Sequence, residues 1–371
     1  MATTLLQIAI VLGTRPEAIK LVPVIKAFQT AEFCQVRVIL TGQHREMVAQ
    51  VMDFFSLQAD HDLAIMQHGQ TLTQITCRSL EGLEAYFQET RPDLVLVQGD
   101  TTTAFAATLA AFYQQIPVGH VEAGLRTDDL FNPYPEEANR RLISQIAQLH
   151  FAPTPLSAEN VRRSGISQGI HQTGNTVIDT LLMVAATEPD CPIPNLNWQQ
   201  YRVILATVHR RENWGEPLTS IGRGFLQILE QFPDTALVLP LHRNPTVREP
   251  LSQILGNHPR VFLTEPLDYT ALVGAIQRSY LLMTDSGGLQ EEAPSLGKPV
   301  LVLRETTERP EAVHAGTAKL IGTDADRMTA EATALLGDKA RYEQMAMAVN
   351  PFGDGYAAER IVAAVQAYFN R

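Results

Sequence analysis

Tyr280-Leu281-Leu282-Met283-Thr284-Asp285-Ser286-Gly287-Gly288 opens the stretch, residues 280–311, whose reading decides the fold. Residues 280–284 predict a strand. Asp285 to Gly288 predict a tight turn. Gln290-Glu291-Glu292 read as the first turn of a helix that stops near Gly297. Pro299-Val300-Leu301-Val302-Leu303 predict a second strand, and Glu308-Arg309-Pro310-Glu311 a loop after it. Strand, helix and strand in that order are the repeating unit of a parallel sheet. A helix start carries free N–H groups and a partial positive charge. Two glycines let an anion approach the backbone there, and Ser286 adds a hydroxyl donor. The turn therefore reads as a phosphate site, or as a plain glycine turn needing positive φ, with Asp285, Glu291 and Glu292 as caps and dipole partners. Glu292, about one turn into the helix, suits two neighbouring hydroxyls such as those of a ribose. Phosphate plus ribose suggests a nucleotide.

The same alternation extends across the whole chain. At 371 residues it exceeds what one core usually supports, so two domains are expected. A hydrophobic content of 45% with 19% charged residues fits a soluble globular protein. The net charge of −11 argues against nucleic acid and against an anionic membrane surface as partners. An acidic chain that binds a phosphorylated ligand must gather its positive charge locally, so individual arginines and histidines matter. Cys34, Cys77 and Cys191 have no metal-ligand spacing and read as thiols in a reducing cytosol. There is no basic leader and no apolar run long enough for a bilayer, so a cytoplasmic location is expected.

The first half starts with an apolar strand at 5–12, the turn Gly13-Thr14-Arg15-Pro16-Glu17 and a helix at 18–28. Arg15 opposes the helix dipole there, which suggests either a nearby anion or a salt bridge to Glu17. Lys20 lies one turn in. A strand at 36–40 leads into Thr41-Gly42-Gln43-His44 and a helix at 45–55. A short extended piece at 62–66 and a helix at 72–87 follow. The strand at 93–97 ends in Gln98-Gly99-Asp100-Thr101, and a helix spans 101–115. Asp100 is thus at the carboxyl end of a strand, where open α/β sheets bind ligands, and is equally a good N-cap. The strand at 118–121 ends in Glu122-Ala123-Gly124-Leu125-Arg126, which repeats the position of Asp100 one strand later. After a polar loop at 128–135, Glu136-Glu137-Ala138-Asn139-Arg140 opens a helix. Taken alone, Glu136 there is an ordinary dipole partner. Strands at 149–152 and 170–173 complete this half, and residues 191–197 read as a boundary.

The second half begins with a strand at 202–208 that runs into His209-Arg210-Arg211-Glu212-Asn213. A strand at 236–239 ends in His242-Arg243-Asn244-Pro245. Then come a strand at 261–263, a helix at 268–278 and the opening stretch. Helices at 325–336, 339–348 and 357–369 follow, the last after a turn at 351–355 that lets it pack back on the first domain. The expected fold is α/β: two doubly wound, Rossmann-like parallel-sheet domains facing a cleft. Their expected bounds are 1–174 with 356–371, and 175–355.

Together, Gly13-Thr14-Arg15-Pro16-Glu17, Gly42-Gln43-His44, Gln98-Gly99-Asp100-Thr101, Glu122-Ala123-Gly124-Leu125-Arg126, Pro135-Glu136-Glu137-Ala138-Asn139-Arg140, His209-Arg210-Arg211-Glu212-Asn213 and Asp285-Ser286-Gly287-Gly288 resemble, nearly end to end, the bacterial non-hydrolysing UDP-N-acetylglucosamine 2-epimerases. The resemblance implies the two-domain architecture shared with the glycosyltransferase-B class, a homodimer, and no metal or nicotinamide cofactor. It implies interconversion of UDP-N-acetylglucosamine and UDP-N-acetylmannosamine, with elimination of UDP to 2-acetamidoglucal and re-addition, supplying cell-surface polysaccharide synthesis. Asp100, Glu122 and Glu136 become the acid/base candidates. His209 and Arg15 would stabilise the departing phosphate, with Lys20 and Arg140 supporting the site electrostatically. Ser286, Gly287 and Gly288 would hold the pyrophosphate, Glu292 the ribose and Arg309 the nucleotide end. Leu272 takes the place of an aromatic residue beside uracil in some relatives. Gln43, Gln70, Glu136, Arg210 and His242 match a second, activating UDP-N-acetylglucosamine site. Competing readings are a glycosyltransferase of the same architecture, a hydrolysing 2-epimerase and a nucleotide-sugar sensor.

Overall fold

In the computed structural model, residues 5–127 and 129–370 are described. The first residue of the polar loop expected at 128–135, and the chain ends at 1–4 and 371, lie outside them. The chain divides into two compact units, Met1–Thr180 with Phe352–Arg371, and Leu181–Pro351.

The first unit is built on a seven-stranded sheet: β1 (Leu6–Leu12), β2 (Cys34–Leu40), β3 (His61–Asp62), β4 (Leu94–Gln98), β5 (Val118–Val121), β6 (Leu149–Ala152) and β7 (Ile170–Gln172). Their order is β3-β2-β1-β4-β5-β6-β7. The ladders are parallel, with Leu6 beside Cys34 and Ile8 beside Leu94. Strand order reverses between β1 and β4, and the loops leaving their carboxyl ends open a binding crevice in sheets of this kind. Residues 94–98 of β4 are all buried, as expected of a central parallel strand covered on both faces.

The second unit repeats the plan with β8 (Arg202–Thr207), β9 (Thr235–Pro240), β10 (Val261–Thr264), β11 (Leu281–Thr284), β12 (Val300–Val302) and β13 (Ala318–Leu320). The order is β10-β9-β8-β11-β12-β13, and the switch point lies between β8 and β11, where Leu281 pairs with Ile204. Residues 280–288 are therefore the switch-point strand and its turn. Its helix begins at Gly287, so Gln290-Glu291-Glu292 occupy the second turn and not the first. A 3-10 turn at Ala293–Leu296 follows, and the helical run stops at Gly297 with φ +66°.

The structure adds elements the sequence pattern did not single out: the helices Pro155–Arg163, Glu216–Gln231 and Pro245–Leu255, and the edge strand β13. The extended piece expected at 62–66 shrinks to the two residues of β3. The C-terminal helix Ala357–Phe369 packs on the helix Arg15–Gln29 within the first unit. No helix among the described residues is long and apolar enough to cross a membrane.

Candidate functional site

In the first unit, the turn after β1 is shaped by Glu17. Its Oε2 accepts from the backbone N–H groups of Gly13 (2.9 Å) and Thr14 (2.7 Å), and its Oε1 accepts from Thr101 Oγ1 at 2.6 Å. Burial pushes the Glu17 carboxyl up against those hydrogen bonds. Glu17 is committed inward, so the salt bridge to Arg15 does not form. Arg15 is half-buried at the start of the helix Arg15–Gln29 and has no ion pair among the described residues.

Asp100 directly follows the loop residue after β4. The N-cap of the next helix, Thr102–Tyr113, is Thr101, whose hydroxyl accepts from Ala104 N at 3.0 Å. Asp100 is therefore not the cap. Its Oδ2 instead accepts from Arg140 Nε at 2.8 Å. Arg140 is fixed in turn by Glu137, a fully buried carboxylate that also accepts from Arg141 (2.7 Å) and from Thr127 N (3.1 Å). Glu137, absent from the candidates expected from sequence, stands three and four residues before two arginines, a spacing that signals ion pairing on one helix face. Glu136 is the first residue of the helix Glu136–Ile146 and is partly exposed.

Glu122 follows β5 with φ +64°, a left-handed conformation that a side chain rarely adopts and that costs about 1 kcal/mol or more. Its carboxylate accepts from Lys20 Nζ at 2.6 Å on both oxygens, from Gln98 Nε2, and from Asn175 Nδ2 at 3.1 Å. Such a cluster of donors holds the strained residue in place. Beneath this loop, His120 Nε2 is 2.7 Å from Gly99 O, and burial drives its imidazole down to about 4. Gln43 accepts from Thr103 Oγ1 at 3.4 Å, and Gln70 accepts from Arg78 at 2.7 Å.

In the second unit the organising residue is Asp285. The sequence offered it as a helix cap, but the cap position belongs to Ser286. Asp285 Oδ2 accepts from the backbone N–H groups of His209 (2.9 Å) and Arg210 (2.8 Å) and from Asn213 Nδ2 (3.0 Å). Its Oδ1 lies 3.0 Å from His209 Nδ1. Burial pushes this carboxyl up, but the His209 ring and the two backbone donors outweigh it and hold it below the usual aspartate range. The His209 ring stacks on His242 with centroids 6.1 Å apart. A cavity of about 220 Å³ opens here, lined by His209, His242, Leu267, Leu272, Ser286 and Leu289 among others.

Gly287 and Gly288 are absent from the positive-φ residues, so the turn does not need glycine for its backbone. Nor does packing require it. A Cβ on Gly287 would meet Arg210 Nη2 at 3.7 Å and Arg309 Cζ at 3.9 Å, and one on Gly288 would meet Glu292 Oε1 at 3.6 Å. These are ordinary contacts. Of the two explanations for the glycines, the backbone one fails, and close approach by a ligand remains. Two guanidinium groups flank the turn. Arg309 is ion-paired with Glu291, and Arg210 lies 3.8 Å from Glu308. Glu308 also pairs with Arg304 at 2.6 Å, which takes its carboxyl down to about 2 despite burial.

Fold and site define a two-domain, Rossmann-like α/β protein with acidic strand ends in one unit and a cation-flanked glycine turn in the other. The sequence model of one protein family, described as UDP-N-acetylglucosamine 2-epimerase, matches residues 26–366. The chain belongs to that family and is an isomerase. It is 49% identical to the UDP-N-acetylglucosamine 2-epimerase of Salmonella typhimurium, over 98% of this chain and 99% of that protein. Among solved structures it is similar to the Neisseria meningitidis UDP-GlcNAc 2-epimerase bound to UDP-GlcNAc: identity is 46%, TM-score 0.88, and coverage 98% of this chain and 100% of that one. It is also similar to S. aureus MnaA in its structure with UDP, at 44% identity and TM-score 0.88, over 99% of this chain and 97% of that one.

Proposed function

We propose that the chain interconverts UDP-N-acetylglucosamine and UDP-N-acetylmannosamine by reversible, non-hydrolysing inversion at sugar C2. A base removes the C2 proton while the C1–O bond to UDP breaks, giving 2-acetamidoglucal. UDP then re-adds at C1 as a proton is delivered to the other face of C2. Elimination and re-addition pass through no ketone, so the cycle as written calls for no hydride acceptor. The observation that carries this reading is the pair Asp100 and Glu122. They follow adjacent strands, and each is fixed by its own cation, Arg140 or Lys20. With Glu136 they supply the acid and base that two-sided chemistry at one carbon requires.

In the second unit, Ser286, Gly287 and Gly288 take the pyrophosphate, with Arg309 at the nucleotide end and Glu292 on the ribose. Leu272 packs against the base from the wall of the 220 Å³ cavity. Asp285 occupies His209 Nδ1, which leaves Nε2 to meet the departing phosphate together with Arg15. Gln43, Gln70, Glu136, Arg210 and His242 bind a second UDP-N-acetylglucosamine as activator. The architecture is glycosyltransferase-B-like and the working form a cytoplasmic homodimer that supplies polysaccharide synthesis.

Proton NMR of UDP-N-acetylglucosamine incubated with the protein in D₂O, with EDTA and no acceptor, tests the reading. UDP-N-acetylmannosamine carrying deuterium at C2 is expected. Free N-acetylmannosamine plus UDP would place the chain with hydrolysing enzymes instead. An unchanged spectrum with intact binding would favour a transferase or a sensor.

A further inference from the structure

One contact on Glu122 comes from the segment that follows β7, outside the strand-end loops that carry the acid/base candidates. Asn175 Nδ2 donates to Glu122 Oε1 at 3.1 Å. Asn175 is buried in the segment between β7 and the helix Thr176–Ala185, and its Oδ1 accepts from Val177 N at 3.2 Å. That second bond sets which end of the amide faces the carboxylate. Its backbone N–H donates to Phe352 O at 2.6 Å.

Phe352 has a particular place in the chain. The chain leaves the first unit after residue 180 and returns after residue 351, so Phe352 is the first residue back. The returning backbone lies directly on the Asn175 segment. A Cβ on Gly353, where φ is +149°, would stand 3.4 Å from Asn175 N and 3.6 Å from Gly174 Cα. The next helix holds the same segment: Ala358 N donates to Asp179 Oδ1 at 2.8 Å, and Arg360 Nη1 donates to Thr173 O at 3.0 Å.

We propose that Asn175 is a positioning residue for the reaction, fixing the Glu122 carboxylate and making its direction depend on the 351–355 turn. This rests on the reading of Glu122 as an acid/base group. Lys20 brings charge to both oxygens from a long, flexible stem. Asn175 brings one directional donor from a short, buried side chain whose backbone is tied to the returning segment. Whatever displaces that turn displaces the donor, and a misplacement of about 1 Å at a reacting group can cost about a hundredfold in rate. The N–H also favours the ionised carboxylate.

The test is Asn175→Ala in the full chain, with Glu122→Gln as reference. Expected is a fall in kcat of about ten- to a hundredfold, with KM and UDP binding within about twofold of the parent. The acid limb of the kcat/KM profile should move to higher pH, because the lost donor no longer favours the anion. Gly353→Ala forces a side chain onto a φ of +149° in the turn that lies on Asn175, straining that turn without touching Glu122. It should lower kcat in the same direction and add little to Asn175→Ala in the double variant. Asn175→Leu, close in shape, uncharged and without a donor, serves if the alanine variant does not fold, and it should show the same losses. Parent-like kcat and pH profile, an effect on KM alone, or full additivity with Gly353→Ala would overturn the proposal. An inactive Glu122→Gln beside a fully active Asn175→Ala removes only this proposal, whereas a fully active Glu122→Gln removes the reading of Glu122 itself.

Discussion

Asp285 Oδ1 and His209 Nδ1 lie 3.0 Å apart, although the two residues are 76 positions apart in sequence and sit in the loops that follow the neighbouring strands β11 and β8. The other oxygen of the same carboxylate gathers the backbone of the 209–210 loop and Asn213. One buried anion thus shapes the loop that presents His209.

Asp285→Asn tests that role. The folded-state carboxyl is held below its usual value, so its stabilisation is complete above that value and is lost as pH falls through the folded one. At pH 7 the variant should be less stable by about 1–3 kcal/mol, the worth of hydrogen bonds to a charged group. The gap to the parent should begin to narrow as pH falls past about 4 and close once pH is below the folded-state value. Thermal melts across pH measure both effects. Equal stability at pH 7 would mean that the charge on Asp285 contributes nothing.

Gly287→Ala separates fold from ligand. The backbone φ at Gly287 is ordinary and a methyl there finds 3.7 Å of room, so stability should hold or rise by up to about 1 kcal/mol. A pyrophosphate pressed against that backbone has no such room. UDP affinity, read by calorimetry, should fall at least about tenfold, or about 1.4 kcal/mol. Unchanged UDP affinity would show that the turn does not hold phosphate.

Asp100→Asn, Glu122→Gln and Glu136→Gln should each lower turnover by about two orders of magnitude or more, with UDP binding kept. Deuterium incorporation at C2 is the readout. Parent-like exchange in all three would remove the acid/base assignment.

The sheets were legible because parallel strands covered on both faces are apolar runs, and runs such as residues 94–98 stand out. β13 did not stand out: Ala318-Lys319-Leu320 is three residues long at a sheet edge, with Lys319 exposed. Positions after strand ends could be named, since order along the chain places Asp100 and Glu122. Partners could not. Whether Arg15 pairs with Glu17, or Asp285 caps its own helix, depends on groups that only the tertiary fold brings near. For Glu17 that group is Thr101, and for Asp285 it is His209. For Arg15 local rules listed the Glu17 salt bridge as one option, and Thr101 helps draw Glu17 away from it; for Asp285 they offered only a cap or dipole partner, and its bonds to the His209 loop were not among the options.

His120 makes acid stability a further test. Burial takes its imidazole from 6.5 down to about 4, and His150 likewise, so both are neutral in the folded state at pH 7. The unfolded chain takes up these protons first. Their contribution is complete above about pH 6.5 and drains as pH falls toward 4, by on the order of 2–3 kcal/mol for each imidazole. His120→Gln, which can still donate to Gly99 O, should flatten the stability curve between pH 6.5 and 4. A curve parallel to the parent's would show that His120 does not titrate with unfolding.

His242 is exposed, and its ring lies at 24° to that of His209, 6.1 Å away, in the wall of the same cavity. A ligand that orders His242 therefore bears directly on the residue assigned to the departing phosphate, which gives the second-site reading a physical route. His242→Ala keeps the Asp285 bond to His209 and removes the stacked ring. UDP binding should stay within about threefold, while the rise in rate that UDP-N-acetylglucosamine adds to the conversion of UDP-N-acetylmannosamine should largely disappear. Initial rates with UDP-N-acetylmannosamine, measured with and without small additions of UDP-N-acetylglucosamine, decide it. If the variant is activated as the parent is, His242 has no part in a second site, and its stacking on His209 is only packing.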